Sequence, residues 1–574
     1  MSAYQPRTQE MQFLLSDVLQ APQQLQQLPA FSEVDADLMH QVLEESGKFV
    51  GDVVAPLSRD GDEIGCRWDQ GEVVTPPGFR EAYQAFWQAG WPALASATED
   101  GGQGLPAVLE AMLYEMLSAG NHGWTMAPGL LHGAYECLKH HGSQALKDRY
   151  LSKIATGEWL ATMCLTEPHA GSDLGLARTK ATPLPDGRYA LSGTKIFISG
   201  GEHDLSDNIV HLVLARLPDA PPGPKGLSLF LVPKFMPDGS RSAVHCDRIE
   251  EKMGLHGSPT CVMRFDEAAS WIVGEPGRGL SAMFVMMNAA RLHVALQGIG
   301  LLDAAWQKAD AYAKERRQMR APGRGKSAGE ADLIIEHPAV RRVLDTQRAW
   351  VDGGRVLAYQ TALELDLAKH AQDPQRVAQA QRWCSLVTPV MKSIFTHQAF
   401  HGGSDCLQVF GGHGYVREWG IEQVVRDARV AMIYEGTNEI QAIDLLVRKV
   451  MSDGAQSLFA LLDDLLHDLA AHAQHTTAWQ DRVEVLRALT ADILAAAGSQ
   501  PALPFEFADD YLRALGVVLL DWAWLKIGLA LSDDTPDSAD RWRQPAKALQ
   551  RWVLPEFELR VGMVRAALKV TQPA

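Results

Sequence analysis

The chain has 574 residues, 46% hydrophobic and 21% charged, the composition of a soluble globular protein and too long for one core; about three or four packing units of ~150 residues are expected. Its 53 Lys and Arg against 70 Asp and Glu leave a net charge of −17, which repels a phosphate backbone and argues against nucleic acid as a partner. The seven cysteines (Cys66, Cys137, Cys164, Cys246, Cys261, Cys384, Cys406) are scattered and form no C-x-x-C pair. Reduced thiols in a cytoplasmic protein are therefore expected, with no metal and no disulfide framework.

Residues 1–35 read as an N-terminal arm, and "MSAYQPRTQEMQFLL" lacks the basic region and apolar run of a signal peptide. From 36 to 160, "DADLMHQVLEESGKFVGDVV" and "AVLEAMLYEMLSAG" repeat with helical period and predict a helical domain. Between 161 and 275 the texture changes to "RYALSGTKIFISGG", "NIVHLVLARL", "GLSLFLVPKF" and "CVMRFDEAAS". Short strands at such intervals predict a β-sandwich or barrel. Helical periods return over 276–450 in runs long enough for a bundle. Residues 451–574, rich in Ala, Leu and Trp, read as an appended helical domain. Within it "LRALGVVLLDWAWLKIGLALS" is interrupted by Asp521 and Lys526, so a buried or oligomer-facing helix is expected there, with membrane contact left open. The fold class is thus mainly α with a central β-domain.

Two nucleotide motifs fail. "RAPGRGKS" nearly fits a phosphate loop, but Arg320 replaces the first glycine and the stretch follows a helix rather than a strand. "GIGLLD" ends in Asp303 and "GHGYVR" in Arg417, so neither completes the dinucleotide fingerprint, and a nicotinamide Rossmann enzyme is set aside.

One carboxylate stands out. In "RVAMIYEGTNEIQAIDLL" Glu435 lies between an apolar run and a glycine, ahead of an amphipathic helical pattern. Such a glutamate either complements a helix N-terminus or, backed by Met432, Ile433 and Tyr434, sits in an apolar pocket with a raised pKa as a proton acceptor. Upstream, "ATMCLTEPHAGSDLGLARTKA" turns after Thr166 through Gly171 and Ser172, exposing N–H groups and hydroxyls. In "GTKIFISGG", Phe197 and Ser199 are two apart and expected on one strand face.

Together with "ALQGIG", "YAKERRQM", "LQVFGGHGY" and "YEGTNEI" in this order, these segments resemble the acyl-CoA dehydrogenase family of flavoenzymes over roughly residues 36–450. The arm and tail resemble its longer bacterial branch of fatty-acyl-CoA and 3-methylmercaptopropionyl-CoA dehydrogenases. The resemblance implies a helical N-terminal domain, a β-domain and a four-helix bundle, with FAD as cofactor. Leu165, Thr166, Gly171 and Ser172 match positions holding the isoalloxazine ring and phosphates. Phe197, where tryptophan is commoner, and Ser199 match those against the ring and its N5. Arg316 matches an arginine reaching the FAD diphosphate of a neighbouring subunit, which implies a homo-oligomer, with a dimer expected. Gln408, Gly412, Thr437 and Glu439 match further FAD positions, though Glu439 stands where glutamine or glycine is frequent. Substrate contacts are implied for Ser172, Asn288, Arg291, Tyr434 and Gly436, with Arg291 near the CoA pantetheine and Asn288 where aspartate is common.

The implied reaction is α,β-dehydrogenation of an acyl-CoA to the trans-2-enoyl-CoA. Glu435 takes the α-proton, flavin N5 the β-hydride, and electron-transfer flavoprotein the electrons. Some relatives carry the base just before the arginine matching Arg291; here that residue is Ala290, which cannot serve. A medium- or long-chain acyl-CoA is the favoured substrate, with 3-methylmercaptopropionyl-CoA in competition. The stretch "NHGWTMAPGLLHGAY" should form the pocket floor, with Ala127 and Gly129 leaving space and Trp124 or Leu131 closing it. An acyl-CoA oxidase using oxygen is the alternative. A flavin-containing nucleic-acid-binding relative is less favoured, because the tail sets "DRWRQPAKALQRW" against the acidic "LLDDLLHDL".

Overall fold

The computed structural model describes residues 4–323, 331–531 and 536–570. Residues 324–327 of the "RAPGRGKS" stretch lie outside them. Chain contacts gather into two compact units: one of residues up to Gly47, Ala111–Ala119 and Val294 onward, the other of Lys48–Glu110 and Gly120–His293. The helical stretch read as 36–160 is therefore shared between them.

The second unit is built on the β-domain. After a short hairpin, β1 (Arg67–Asp69) and β2 (Glu72–Val74), come β3 (Leu160–Cys164), β4 (Lys180–Pro183), β5 (Tyr189–Ser199), β6 (Ile209–Arg216), β7 (Leu227–Pro233), β8 (Val244–Ile249) and β9 (Thr260–Val273). Strands β4, β5, β9, β7 and β6 pair in sequence, and β6 returns to β4 at Lys180 and Arg216. The sheet closes on itself, with β3 added to β6 and β8 to β9, so its inward side chains fill a barrel interior. Leu191, Val213, Phe230, Met263 and Phe265 make that core. Seven consecutive residues of β6 are buried, the pattern of a strand covered on both faces.

In β5 the alternation fails. The register against β9 shifts between Lys195 and Ile198, and Phe197 takes φ +60°. This bulge brings Ile198 into the core and leaves Phe197 60% exposed and Ser199 half-buried on either side of it.

The first unit contains the helices Pro338–His370 and Pro374–Val409, the part of Gly279–Glu315 from Val294 onward, and Ile421–Arg429. Leu301, Ala305, Trp306, Leu344, Ala399, Phe410, Ile421 and Val424 form a shared core. A Cβ on Gly298 would lie 2.6 Å from the Phe395 carbonyl oxygen, so the glycine sets how closely two bundle helices approach. The Ala508–Ala530 helix of the tail is buried along most of its length. Its Trp524 Nε1 donates to the Ala349 carbonyl at 2.9 Å. Asp521 lies 3.2 Å from Arg482, and burial pushes its carboxyl up to about 6.

A buried ionic network ties the ends of the chain to this unit. Arg355 donates to Glu115 Oε1 at 2.7 Å and Asp303 Oδ2 at 2.9 Å, and the Tyr359 hydroxyl donates to Glu115 Oε2 at 2.6 Å. Arg348 binds Asp303, Asp352 and Glu10, and Arg541 binds Glu10 at 2.7 Å and Asp352 at 2.6 Å.

Candidate active site

The first unit presents Glu435 on a short, strained turn. Glu435 and Gly436 have φ of +55° and +83°, and the left-handed conformation is costly for a glutamate, of order 1–2 kcal/mol. The turn is fastened from below. Buried Lys392 donates to the Gly436 carbonyl at 2.8 Å and to Asn438 Oδ1 at 3.0 Å. Gln441 Nε2 donates to the Glu435 carbonyl at 2.9 Å, and Asn438 Nδ2 donates to the Ser393 carbonyl at 3.1 Å. Thr437 caps the Asn438–Ile443 helix, its Oγ1 accepting from the Ile440 N–H at 3.4 Å. Beside the turn, the Tyr434 hydroxyl donates to Gln297 Oε1 at 2.5 Å. Burial, with the Glu435 and Asp427 carboxylates adding to it, pushes this phenol well above the usual tyrosine range. Glu435 itself is half-buried and Ile433 exposed.

Arg316, Gln408, Gly412 and Glu439 are exposed in the same unit. Gly411 and Gly412 have no heavy atom within 4 Å of an added Cβ among the described residues, a bare backbone strip at the end of the Pro374–Val409 helix.

In the second unit, β3 stops at Cys164 and the chain turns through the candidate cofactor residues. Leu165 is buried and Thr166 half-buried. The turn is held by Glu167, which accepts from the Arg178 N–H at 2.7 Å, the Thr179 N–H at 3.0 Å and hydroxyl at 2.7 Å, and Lys195 Nζ at 2.8 Å. Burial raises the Glu167 pKa, but the Lys195 charge and these bonds outweigh it and hold the carboxyl at about 2. Lys195 Nζ also donates to the Leu165 carbonyl at 3.0 Å. The same lysine thus anchors both the turn and the strand bearing Phe197, two residues on. Gly171 and Ser172 lie exposed on the loop, and Ser199 half-buried at the end of β5.

Arg291 and Ala290 are buried on the Gly279–Glu315 helix; the Asn288 side chain lies outside the described residues. In the expected pocket floor, Gly129 has open space at its Cβ position. Trp124 is not a movable gate: it is 1% exposed, edge-on to Phe86, and its Nε1 donates to the Phe79 carbonyl at 3.1 Å.

The N-terminal, middle and C-terminal domain models of acyl-CoA dehydrogenase match residues 40–158, 162–268 and 277–450. The chain is 42% identical over 533 residues to 3-methylmercaptopropionyl-CoA dehydrogenase of Ruegeria pomeroyi, covering 90% of each chain. The chain belongs to the acyl-CoA dehydrogenase family. It is also 35% identical over 510 residues to the broad-specificity linear acyl-CoA dehydrogenase FadE5 of Mycobacterium tuberculosis, covering 85% of this chain and 82% of the relative. Among solved structures, an acyl-CoA dehydrogenase of Bacillus anthracis complexed with FAD has the same fold, with a TM-score of 0.75 at 20% identity over 97% of this chain and 94% of that one.

This acyl-CoA dehydrogenase is an FAD-dependent oxidoreductase. The residues present fit that cofactor. The second unit offers an exposed aromatic ring at Phe197 and an open Gly171–Ser172 loop, suited to a flat ring and to phosphates. Sequence reading missed Lys392, Gln441, Glu167 and Lys195. Their signal is slight: Lys392, Glu167 and Lys195 read as lone charges whose meaning depends on partners distant in the chain, and Gln441 as one polar residue of a helix.

Proposed function

We propose that the enzyme dehydrogenates an acyl-CoA thioester to its trans-2-enoyl-CoA, with Glu435 as the base that removes the α-proton. The observation that carries this is the strained Glu435–Gly436 turn, held by Lys392 and Gln441 with Glu435 half-buried on it. Backbone strain on a non-glycine, maintained by buried hydrogen bonds, is a mark of a positioned functional group. The α-proton of a thioester is weakly acidic, so a base gains from a fixed direction of approach and from a site that apolar substrate closes to water. The hydrogen bond from the Tyr434 hydroxyl to Gln297 braces the chain just before the base. Arg291 steers the anionic CoA at the entrance, and Phe197 covers the flavin ring. Bound FAD supplies the two-electron acceptor for the β-hydrogen.

Electron-transfer flavoprotein is the proposed electron acceptor, consistent with relatives named as dehydrogenases. The exposed Arg316 at the end of its helix supports a working unit of at least two copies, each arginine reaching the other copy's flavin diphosphate. The seven free cysteines support a cytoplasmic location. The substrate is a medium- or long-chain fatty acyl-CoA or 3-methylmercaptopropionyl-CoA. A turnover profile across acyl-CoA chain lengths, with 3-methylmercaptopropionyl-CoA included and a dye acceptor under both nitrogen and air, tests the proposal. Dye reduction that does not depend on oxygen is expected, and negligible turnover of every thioester would overturn it.

A further inference from the structure

The basic tail segment "PAKALQRW" has a place in the fold that the proposed chemistry does not use. Within the first unit, residues 544–556 of the tail, the start of the Pro338–His370 helix and the middle of the Pro374–Val409 helix line a groove of about 880 Å³. That volume lies in the range of small-molecule sites. None of the residues lining the groove holds the Glu435 turn.

Each carboxylate on the groove already has a partner, and three of its cations have none. Glu556 accepts from Arg513 at 2.6 Å and from Arg560 at 3.0 Å, Asp345 lies 3.7 Å from Arg341, and Asp405 accepts from Gln347 Nε2 at 3.1 Å. Arg342, Lys547 and Arg551 line the same groove, are exposed, and have no carboxylate within 4.0 Å among the described residues. On a chain of net charge −17 this is a local reversal of sign, which draws an anion to one place on a surface that otherwise repels it. Beside these cations Trp552 is 48% exposed, and the Arg342 guanidinium lies over its ring, 3.8 Å from the centroid. A guanidinium seated on an indole steadies the ring and keeps its N–H donors for a second partner. The Gln544 amide, also on the groove, makes no hydrogen bond among the described residues.

We propose that this groove binds a nucleoside di- or triphosphate, its base stacked on Trp552 and its phosphates held by Arg342, Lys547 and Arg551. Arginine and lysine donate charge-assisted hydrogen bonds to phosphate oxygens, and an indole stacks on any base because every base has a π-face. Gln544 offers both a donor and an acceptor to the base edge or the sugar. A phosphate alone, or an acidic peptide, uses the cations and leaves the indole idle. The nucleotide is taken either free or as the nucleotide end of coenzyme A.

The test is isothermal titration of the full-length, FAD-loaded enzyme at low ionic strength with ADP, inorganic pyrophosphate and adenosine. ADP should bind with a Kd below about 1 mM, and pyrophosphate and adenosine about tenfold or more weakly, since each lacks one half of the contact. Arg342→Ala and Arg551→Ala should weaken ADP and pyrophosphate alike by about tenfold. Trp552→Leu should instead bring ADP within about threefold of pyrophosphate. Coenzyme A separates the two sources: affinity lost for both ADP and coenzyme A in Trp552→Leu assigns the nucleotide end of the thioester, and a loss confined to ADP assigns the free nucleotide. An ADP Kd above about 1 mM in the parent would overturn the proposal, whether or not the variants fold. So would ADP binding that all three FAD-loaded variants leave unchanged, which puts the nucleotide in another site, or equal binding of ADP and pyrophosphate by the parent, which leaves only an anion patch.

Discussion

At Gly436 the carbonyl oxygen takes a hydrogen bond from Lys392 Nζ at 2.8 Å, and the same ammonium reaches Asn438 Oδ1 at 3.0 Å. Lys392 is fully buried, so its removal takes a charged donor from two acceptors, leaving them the longer bonds from Gln441 Nε2 at 3.3 Å and Thr396 Oγ1 at 3.2 Å, and loosens a strained turn. Lys392→Met should cost about 2–4 kcal/mol of stability, read as a lower calorimetric Tm. It should also lower kcat more than it raises KM, since the base loses its direction rather than the site its grip on CoA. Glu435 stood out in the sequence as a single acid between an apolar run and a glycine, a pattern that also suits a helix N-terminus, and only the neighbouring motifs favoured a base. Lys392 was not, because in "VTPVMKSIF" it reads as one solvated charge and its partners lie 44 and 46 residues further along. Phe197 was legible as an aromatic on a strand, but the bulge that carries it was not: a bulge is a property of the register with β9, not of the strand's own residues.

The turn after β3 shows the same dependence at the scale of an element. Its glycine and serine announced a ligand loop, whereas the buried Glu167–Lys195 pair that fixes it joins two strands 28 residues apart. Glu167→Gln leaves a fully buried ammonium facing a neutral amide, and should cost about 3 kcal/mol and weaken FAD binding. The sign of its pH dependence follows from the carboxyl being held at about 2, below the 4.5 of an unperturbed glutamate. A group depressed on folding stabilises fully above the unfolded value, and that stabilisation is lost as pH falls through the folded one. The deficit of Glu167→Gln relative to the parent should therefore be full at pH values above about 5 and shrink towards about pH 3. Urea unfolding across that range checks it; a deficit that does not change with pH would assign the loss to packing instead.

At the scale of the whole molecule, the order of helices, barrel, helices and further helices was readable because period 2 and period 3.6 differ over any ten residues. The grouping of those segments was not. Arg541 bonds Glu10 across 531 residues, and in the sequence both read as surface charges. Half-buried against Arg348 and Asp352, they fasten the arm and the tail onto the bundle that carries Glu435. That bundle is the frame within which Glu435 must work as the base. The most direct measurement is anaerobic rapid mixing of the FAD-loaded Glu435→Gln enzyme with an acyl-CoA that the parent turns over, following loss of flavin absorbance. Gln keeps the volume and much of the hydrogen bonding but cannot accept the α-proton, so FAD should stay bound while bleaching slows by about 10²–10⁴-fold. Bleaching within about threefold of the parent rate would show that another residue takes the proton.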